Sequence, residues 1–295
     1  MTTLPALRGG ATPERSRLAA GALAAAGLGL GVALLGPRLL PDTDPMGVDP
    51  HSLRLSVLAL GLVAVALARR TLRPALPVFL AVLAVVVPFT LWSSTPDVIF
   101  RTAGDRVGYR PAVLAADTVY LLAALALGAV AVHRTGEGWL AGLRLGGRAA
   151  LRAVPATALV LVAIVVVFLA VPATLLGRVA LPLSVLARDL PLLGPAYCLQ
   201  AAAQEIAFRG ALQRVLEQDL GPWPAIVGQS LLFGLAHIAV QYEGPAAPII
   251  PVTVGLGLGF GWVTWRTGSL LPVIVAHAVL EVGQAYGVLP GLYGA

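Results

Sequence analysis

QEIAFRG, residues 204–210, sets a glutamine, a carboxylate and a guanidinium inside a run that otherwise reads as a membrane span. The chain around it is 58% hydrophobic and only 12% charged, with a mean hydropathy of +0.88, whereas a soluble domain carries about a quarter charged residues. This composition predicts an all-α, polytopic integral membrane helix bundle. All 20 basic residues are arginine, and the chain has neither lysine nor asparagine. The arginines fall mostly in short loops between apolar runs and form no basic stripe interleaved with aromatics, so the net charge of +6 gives no support to nucleic-acid binding. A single cysteine, Cys198, excludes an internal disulfide.

A helix needs about 20 apolar residues to cross the hydrocarbon. On that rule about eight to nine spans are expected, near 18–36, 53–68, 75–93, 111–132, 154–177, 191–217, 223–241, 247–265 and 269–288. Alternation over about ten residues, the mark of a membrane β-barrel, is missing. Arginine-bearing loops alternate: Arg8, Arg15 and Arg17 precede the first span, Arg69, Arg70 and Arg73 follow the second, and Arg134, Arg144, Arg148 and Arg152 follow the fourth. By the positive-inside rule these loops are cytoplasmic, which puts the N-terminus inside. The basic start is read as a retained first span, since no small-residue cleavage site follows it. The 133–152 loop divides a group of about four spans, residues 1–153, from a core, residues 154–295, that carries nearly all the polar chemistry.

Ionisable side chains are costly in the bilayer, so those inside spans are functional candidates. They are Asp117, Glu205, Arg209, His237, His277 and Glu281. Residues four apart share a helix face, and Glu205 with Arg209, Phe233 with His237, and His277 with Glu281 all have that spacing. Glu205 and His237 each lie 16 residues from Gly221, the centre of the DLGPW break. At about 1.5 Å per residue both are expected about 24 Å from the turn, and so at one depth. Each residue also has a plain reading: Asp117 as a helix-to-helix hydrogen bond, Glu205 with Arg209 as a structural ion pair, a lone histidine as a satisfied core group. The glycines of VGLGLGFGWVTW (254–265) read as close helix packing, and Trp223, Trp262 and Trp265 as interface anchors.

A carboxylate beside a neutral imidazole can take a proton from water, and a second imidazole can stabilise an oxyanion, which is the inventory for amide hydrolysis. The alternative is a metal: His237, His277 and Glu205 are a possible zinc set, with an open position for water. No HExxH occurs on any helix.

QEIAFRG, with LLFGLAHI (231–238) and SLLPVIVAHAVLE (269–281), resembles the signature of the CPBP family, the CAAX-protease and bacteriocin-processing membrane peptidases also called the Abi family. Its usual pattern is EExxxR, FxxxH and HxxxN on separate helices. The resemblance implies a multi-span core and an intramembrane endopeptidase acting on a membrane-associated peptide or protein. It aligns Glu205 with the second Glu of the first motif, Arg209 with its Arg, Phe233 and His237 with the second motif, and His277 with the third. In the family the first Glu and the second-motif His are taken to activate water, and the third-motif His and Asn to hold the oxyanion.

Two positions depart: the first Glu is Gln204, and the Asn is Glu281. A glutamine amide is no base at neutral pH, so the carboxylate missing at 204 is expected to be restored from the opposite helix by Glu281, with Glu281 or Glu205 as base and Gln204 as a hydrogen-bond donor. The competing expectations are a non-catalytic CPBP-like scaffold or immunity protein and a proton-coupled transporter. Beyond the lipid bilayer, the expected partner is a bacterial peptide or membrane protein, at the plasma membrane.

Overall fold

The computed structural model describes residues 50–103, 109–133, 183–237 and 249–292, with isolated positions elsewhere among which Arg144 matters most. Every regular element among the described residues is a helix: α1 (Pro50–Ala68), a 3-10 turn (Arg70–Ala75), α2 (Leu76–Ala103), α3 (Tyr109–His133), α4 (Leu183–Glu205), a π-helical segment (Ile206–Gln213), α5 (Arg214–Leu220), α6 (Pro222–Ala236), α7 (Ile249–Thr267) and α8 (Leu271–Leu292). Three predicted spans of the first group and four of the second coincide with these helices. The spans expected near 18–36 and 154–177 lie outside the described residues. By length and composition, two described stretches are apolar enough to cross a membrane, Arg70–Trp92 and Pro111–His133, and Leu55–Ala68 and Leu271–Glu281 are shorter apolar helices. The helix bearing QEIAFRG does not join them, because its glutamines and charged residues lower its hydropathy.

Turns follow glycine and proline chemistry. Gly221 has φ +81°, a conformation glycine adopts without a Cβ clash, and its N–H closes α5 on the Glu217 carbonyl at 3.1 Å. Pro222 then opens α6 at a position that needs no amide hydrogen. Gly268, φ +65°, plays the same part between α7 and α8.

Packing relies on small residues and a few interhelical hydrogen bonds, as expected where lipid offers no hydrophobic drive between helices. Ser56 and Thr90 join α1 to α2 through their hydroxyls at 2.7 Å. Trp92 Nε1 donates to Asp117 Oδ1 at 2.6 Å, joining α2 to α3, which is the plain reading of Asp117. Between α6 and α7 the glycine run does what its composition implies: Gln229 Nε2 donates to the Gly257 carbonyl and Gln213 Nε2 to that of Gly261, each at 3.0 Å. A Cβ at Gly257 would stand 2.9 Å from the Ser230 Cα, so only glycine allows this approach. Trp223 and Trp262 are largely exposed, and the Trp223 and Trp265 rings lie 6.0 Å apart. Arg144 meets Glu217 at 2.5 Å and the Leu270 N–H at 2.9 Å, so this loop position and the turns at Gly221 and Gly268 lie at one end of the bundle.

Candidate active site

The QEIAFRG helix departs from α geometry where its polar residues begin. Glu205 ends α4, and the next eight residues are π-helical, a rare form that is frequent at functional sites. The whole segment is buried, Arg209 included. Arg209 Nη1 donates to Glu205 Oε1 at 3.1 Å, and both side chains have 0% exposure. The guanidinium also lies over aromatic faces, 4.3 Å from the Phe233 centroid, 5.6 Å from Phe260 and 5.8 Å from Phe208. Those rings supply the attraction water would have given, worth about 2 kcal/mol for a desolvated cation. Among the described residues, Arg209 Nε and Nη2 and Glu205 Oε2 have no hydrogen-bond partner.

From α8, His277 reaches into the same point. Its Nδ1 is 2.7 Å from Glu205 Oε1, and its Nε2 is 3.3 Å from Glu281 Oε1. Carboxylate oxygens only accept, so between two ionised carboxylates both ring nitrogens carry hydrogen. Gln204 Nε2 donates to the same Glu281 Oε1 at 3.2 Å. The two positions that depart from the family pattern are therefore in direct contact, and an imidazole and an amide converge on one carboxylate oxygen.

His237 caps α6. Its Nδ1 is 2.7 Å from the Phe233 carbonyl, which only accepts, so Nδ1 bears the hydrogen and Nε2 holds the lone pair of the neutral ring. It lies within Coulombic range of Glu281, His277 and Arg209. Phe233 links these groups: its ring centroid is 4.6 Å from that of His237, 5.9 Å from His277 and 5.0 Å from Phe208. Phe233 thus stands between His237 and the two groups, Arg209 and His277, that take the carboxylate of Glu205.

Gln204, Glu205, Arg209, His237, His277 and Glu281 are brought to one region of the bundle, whereas Asp117 is paired with Trp92. On the zinc expectation, His277 has both ring nitrogens against carboxylates, and among the described residues no three His, Cys, Asp or Glu side chains are grouped to hold a metal ion. The expectation of zinc on His237, His277 and Glu205 thus gains no support from the described residues.

Several contributors carried no sequence signal. Phe208 and Phe260 look like any apolar helix residue until the fold places them on Arg209. Tyr120 of α3, buried, lies within Coulombic range of Glu281 and Glu205 from a helix far away in sequence. It also lines an apolar groove with Leu62 of α1, Val86 of α2, Phe208, and Leu232 and Ala236 of α6.

Residues 156–283 match the family model described as Rce1-like, type II CAAX prenyl endopeptidase Rce1-like. No curated protein and no solved structure matches the chain. The matched stretch, residues 156–283 of 295, contains all three motifs and agrees with the resemblance to the CPBP family of intramembrane proteases.

Proposed function

We propose that this protein is an intramembrane endopeptidase that hydrolyses a peptide bond of a membrane-associated peptide or protein, with Glu281 as the base that activates water. The observation that carries this reading is the contact of Gln204 Nε2 with Glu281 Oε1 at 3.2 Å. It puts a carboxylate beside the position where the family's first motif has one, supplied from α8.

Burial separates the two carboxylates that compete for the role. Glu205 is sealed at 0% exposure, whereas Glu281 keeps 9%. Glu205 is therefore the orienting group for His277 and Arg209, and Glu281 is the carboxylate that water can reach. Neutral His237, its Nε2 lone pair set by the Phe233 carbonyl, assists in holding and moving the proton. Glu281 removes a proton from water, and the resulting hydroxide attacks the scissile carbonyl. As Glu281 becomes neutral it loosens its hold on the Nε2–H of His277 and the amide of Gln204, which are then available to the oxyanion. The proton passes to the leaving amine as the C–N bond breaks. In this scheme Gln204 and Glu281 have exchanged the amide and carboxylate roles of the family pattern.

The apolar groove beside Phe208 and Ala236 favours a substrate with apolar side chains next to the cleaved bond. A bacterial plasma membrane with the N-terminus in the cytoplasm remains the setting that the arginine pattern supports. The test is cleavage of a peptide library by the purified full chain, with Glu281→Gln, Glu205→Gln and His237→Ala variants. Loss of cleavage on Glu281→Gln is expected, and activity indifferent to all three would sink the reading. Absence of cleavage under every condition would favour a packing role for the cluster.

A further inference from the structure

Arg144 lies in the loop before the core, outside the matched residues, and its arginine neighbours in that loop read only as topological charges. Its backbone has φ +56°, uncommon for a residue with a Cβ. Its carbonyl accepts the Leu270 N–H at 2.9 Å, at the first turn of α8. Its guanidinium forks over Glu217 of α5, with Nη2 2.5 Å from Oε2 and Nη1 3.4 Å from Oε1. Glu217, 3% exposed, also receives Gln213 Nε2 at 2.8 Å and Arg214 Nη1 at 3.4 Å. The same Gln213 nitrogen reaches the Gly261 carbonyl of α7 at 3.0 Å.

One residue thus ties α5 to α8 at one end of the bundle, and Glu217 brings in α7 through Gln213. α8 and the π-helical segment continuous with α5 lead straight to the site. His277 and Glu281 follow Leu270 along α8, the first of them about 10 Å away at helical rise. Glu205 stands at the opposite end of the π-helical segment from Gln213. A π-helix is a rare form that seldom runs beyond a single turn, so its register against α8 calls for an external hold. An exposed ion pair would not serve, but Glu217 is buried and the fork is bidentate, which adds geometry to charge.

We propose that Arg144 is a positioning residue for the candidate active site, a staple that fixes α8 against the π-helical segment so that His277 meets Glu205 in register. Arg214 keeps part of the compensation of Glu217 when Arg144 is lost, so the variants are expected to fold. The proposal uses the peptidase reading only for its kinetic readout.

The test is ¹⁵N-histidine NMR of the purified full chain in detergent, for the parent, Arg144→Ala, Arg144→Lys and Glu217→Gln. Single removal of each of the four histidines assigns the signals. Arg144→Ala is expected to shift the His277 ring resonances and to leave those of His51 unchanged, with Arg144→Lys, which keeps the charge but not the fork, in between. Where a peptide is cleaved, kcat is expected to fall by up to about 100-fold, the scale of an ångström of misplacement, with KM little changed. His277 resonances that coincide with the parent's in folded Arg144→Ala, or in Arg144→Lys and Glu217→Gln if the alanine variant does not fold, overturn the staple. Shifted resonances in a protein that cleaves nothing leave the staple standing and overturn the peptidase reading instead.

Discussion

Gln204 Nε2 donates to Glu281 Oε1 across 3.2 Å, so the two residues that break the family's pattern are each other's partners across the α4–α8 interface. A reciprocal exchange makes a definite prediction. Glu281→Asn alone removes the reachable carboxylate and should cost about 100- to 10,000-fold in rate, the range for a general base. Gln204→Glu alone crowds a third carboxylate around His277 and should also lower the rate. Gln204→Glu with Glu281→Asn, which rebuilds the usual pattern, should recover most of the activity. A double variant no better than the worse single one removes the exchange.

The Glu205–Arg209 pair has 0% exposure on both sides and predicts an asymmetric stability response. Arg209→Met strands a buried carboxylate and should cost about 3–5 kcal/mol. Glu205→Gln with Arg209→Met leaves no formal charge and should be less destabilised than Arg209→Met alone. Thermal unfolding in detergent gives the order directly, and equal losses would mean that the carboxylate finds compensation elsewhere.

What could be read before the fold was known divides along physical lines. Pairs four residues apart on one helix, such as Glu205 with Arg209 and His277 with Glu281, follow from helix periodicity and are found as hydrogen-bonded or ionic contacts. The contact of Glu205 with His277 crosses from α4 to α8, and sequence spacing holds no information on which faces of two distant helices meet. Only the motif order hinted at it. The π-helical turn was invisible because π and α turns draw on the same residues and differ in one hydrogen-bond step. Arg144 was legible as a charge on a predicted side of the membrane, but its grip on Glu217 depends on the return of two later turns to the same end.

Phe233 contacts Arg209, His237, His277 and Phe208 with one ring. Phe233→Leu keeps an apolar side chain and the backbone carbonyl that orients His237, but removes the π face under the guanidinium. It should lower stability by about 2 kcal/mol, the scale of a desolvated cation–π contact, and reduce activity through a looser His237. Unchanged thermal stability in Phe233→Leu would show that Phe208 and Phe260 suffice to hold the cation.

The glycines of α7 divide into two faces with opposite expectations. Gly257 and Gly261 face the α6 and π-helical side, where a Cβ would stand 2.9 Å from Ser230 Cα in one case and 2.7 Å from Gln229 Nε2 in the other. Gly255 and Gly259 meet nothing within 4 Å. Gly257→Ala must push a backbone aside and should cost about 1–3 kcal/mol, the range for overpacking. Gly255→Ala and Gly259→Ala should be neutral or stabilising by up to about 1 kcal/mol, from helix propensity alone. Gly261→Ala should cost more in activity than its stability loss explains, since its Cβ would stand 2.8 Å from Gln213 Oε1 and displace the amide that reaches Glu217 and, through it, the hold of Arg144 on the site. Unfolding midpoints for the four variants separate the faces, and a Gly257→Ala protein as stable as Gly259→Ala would contradict close α6–α7 contact as the reason for these glycines.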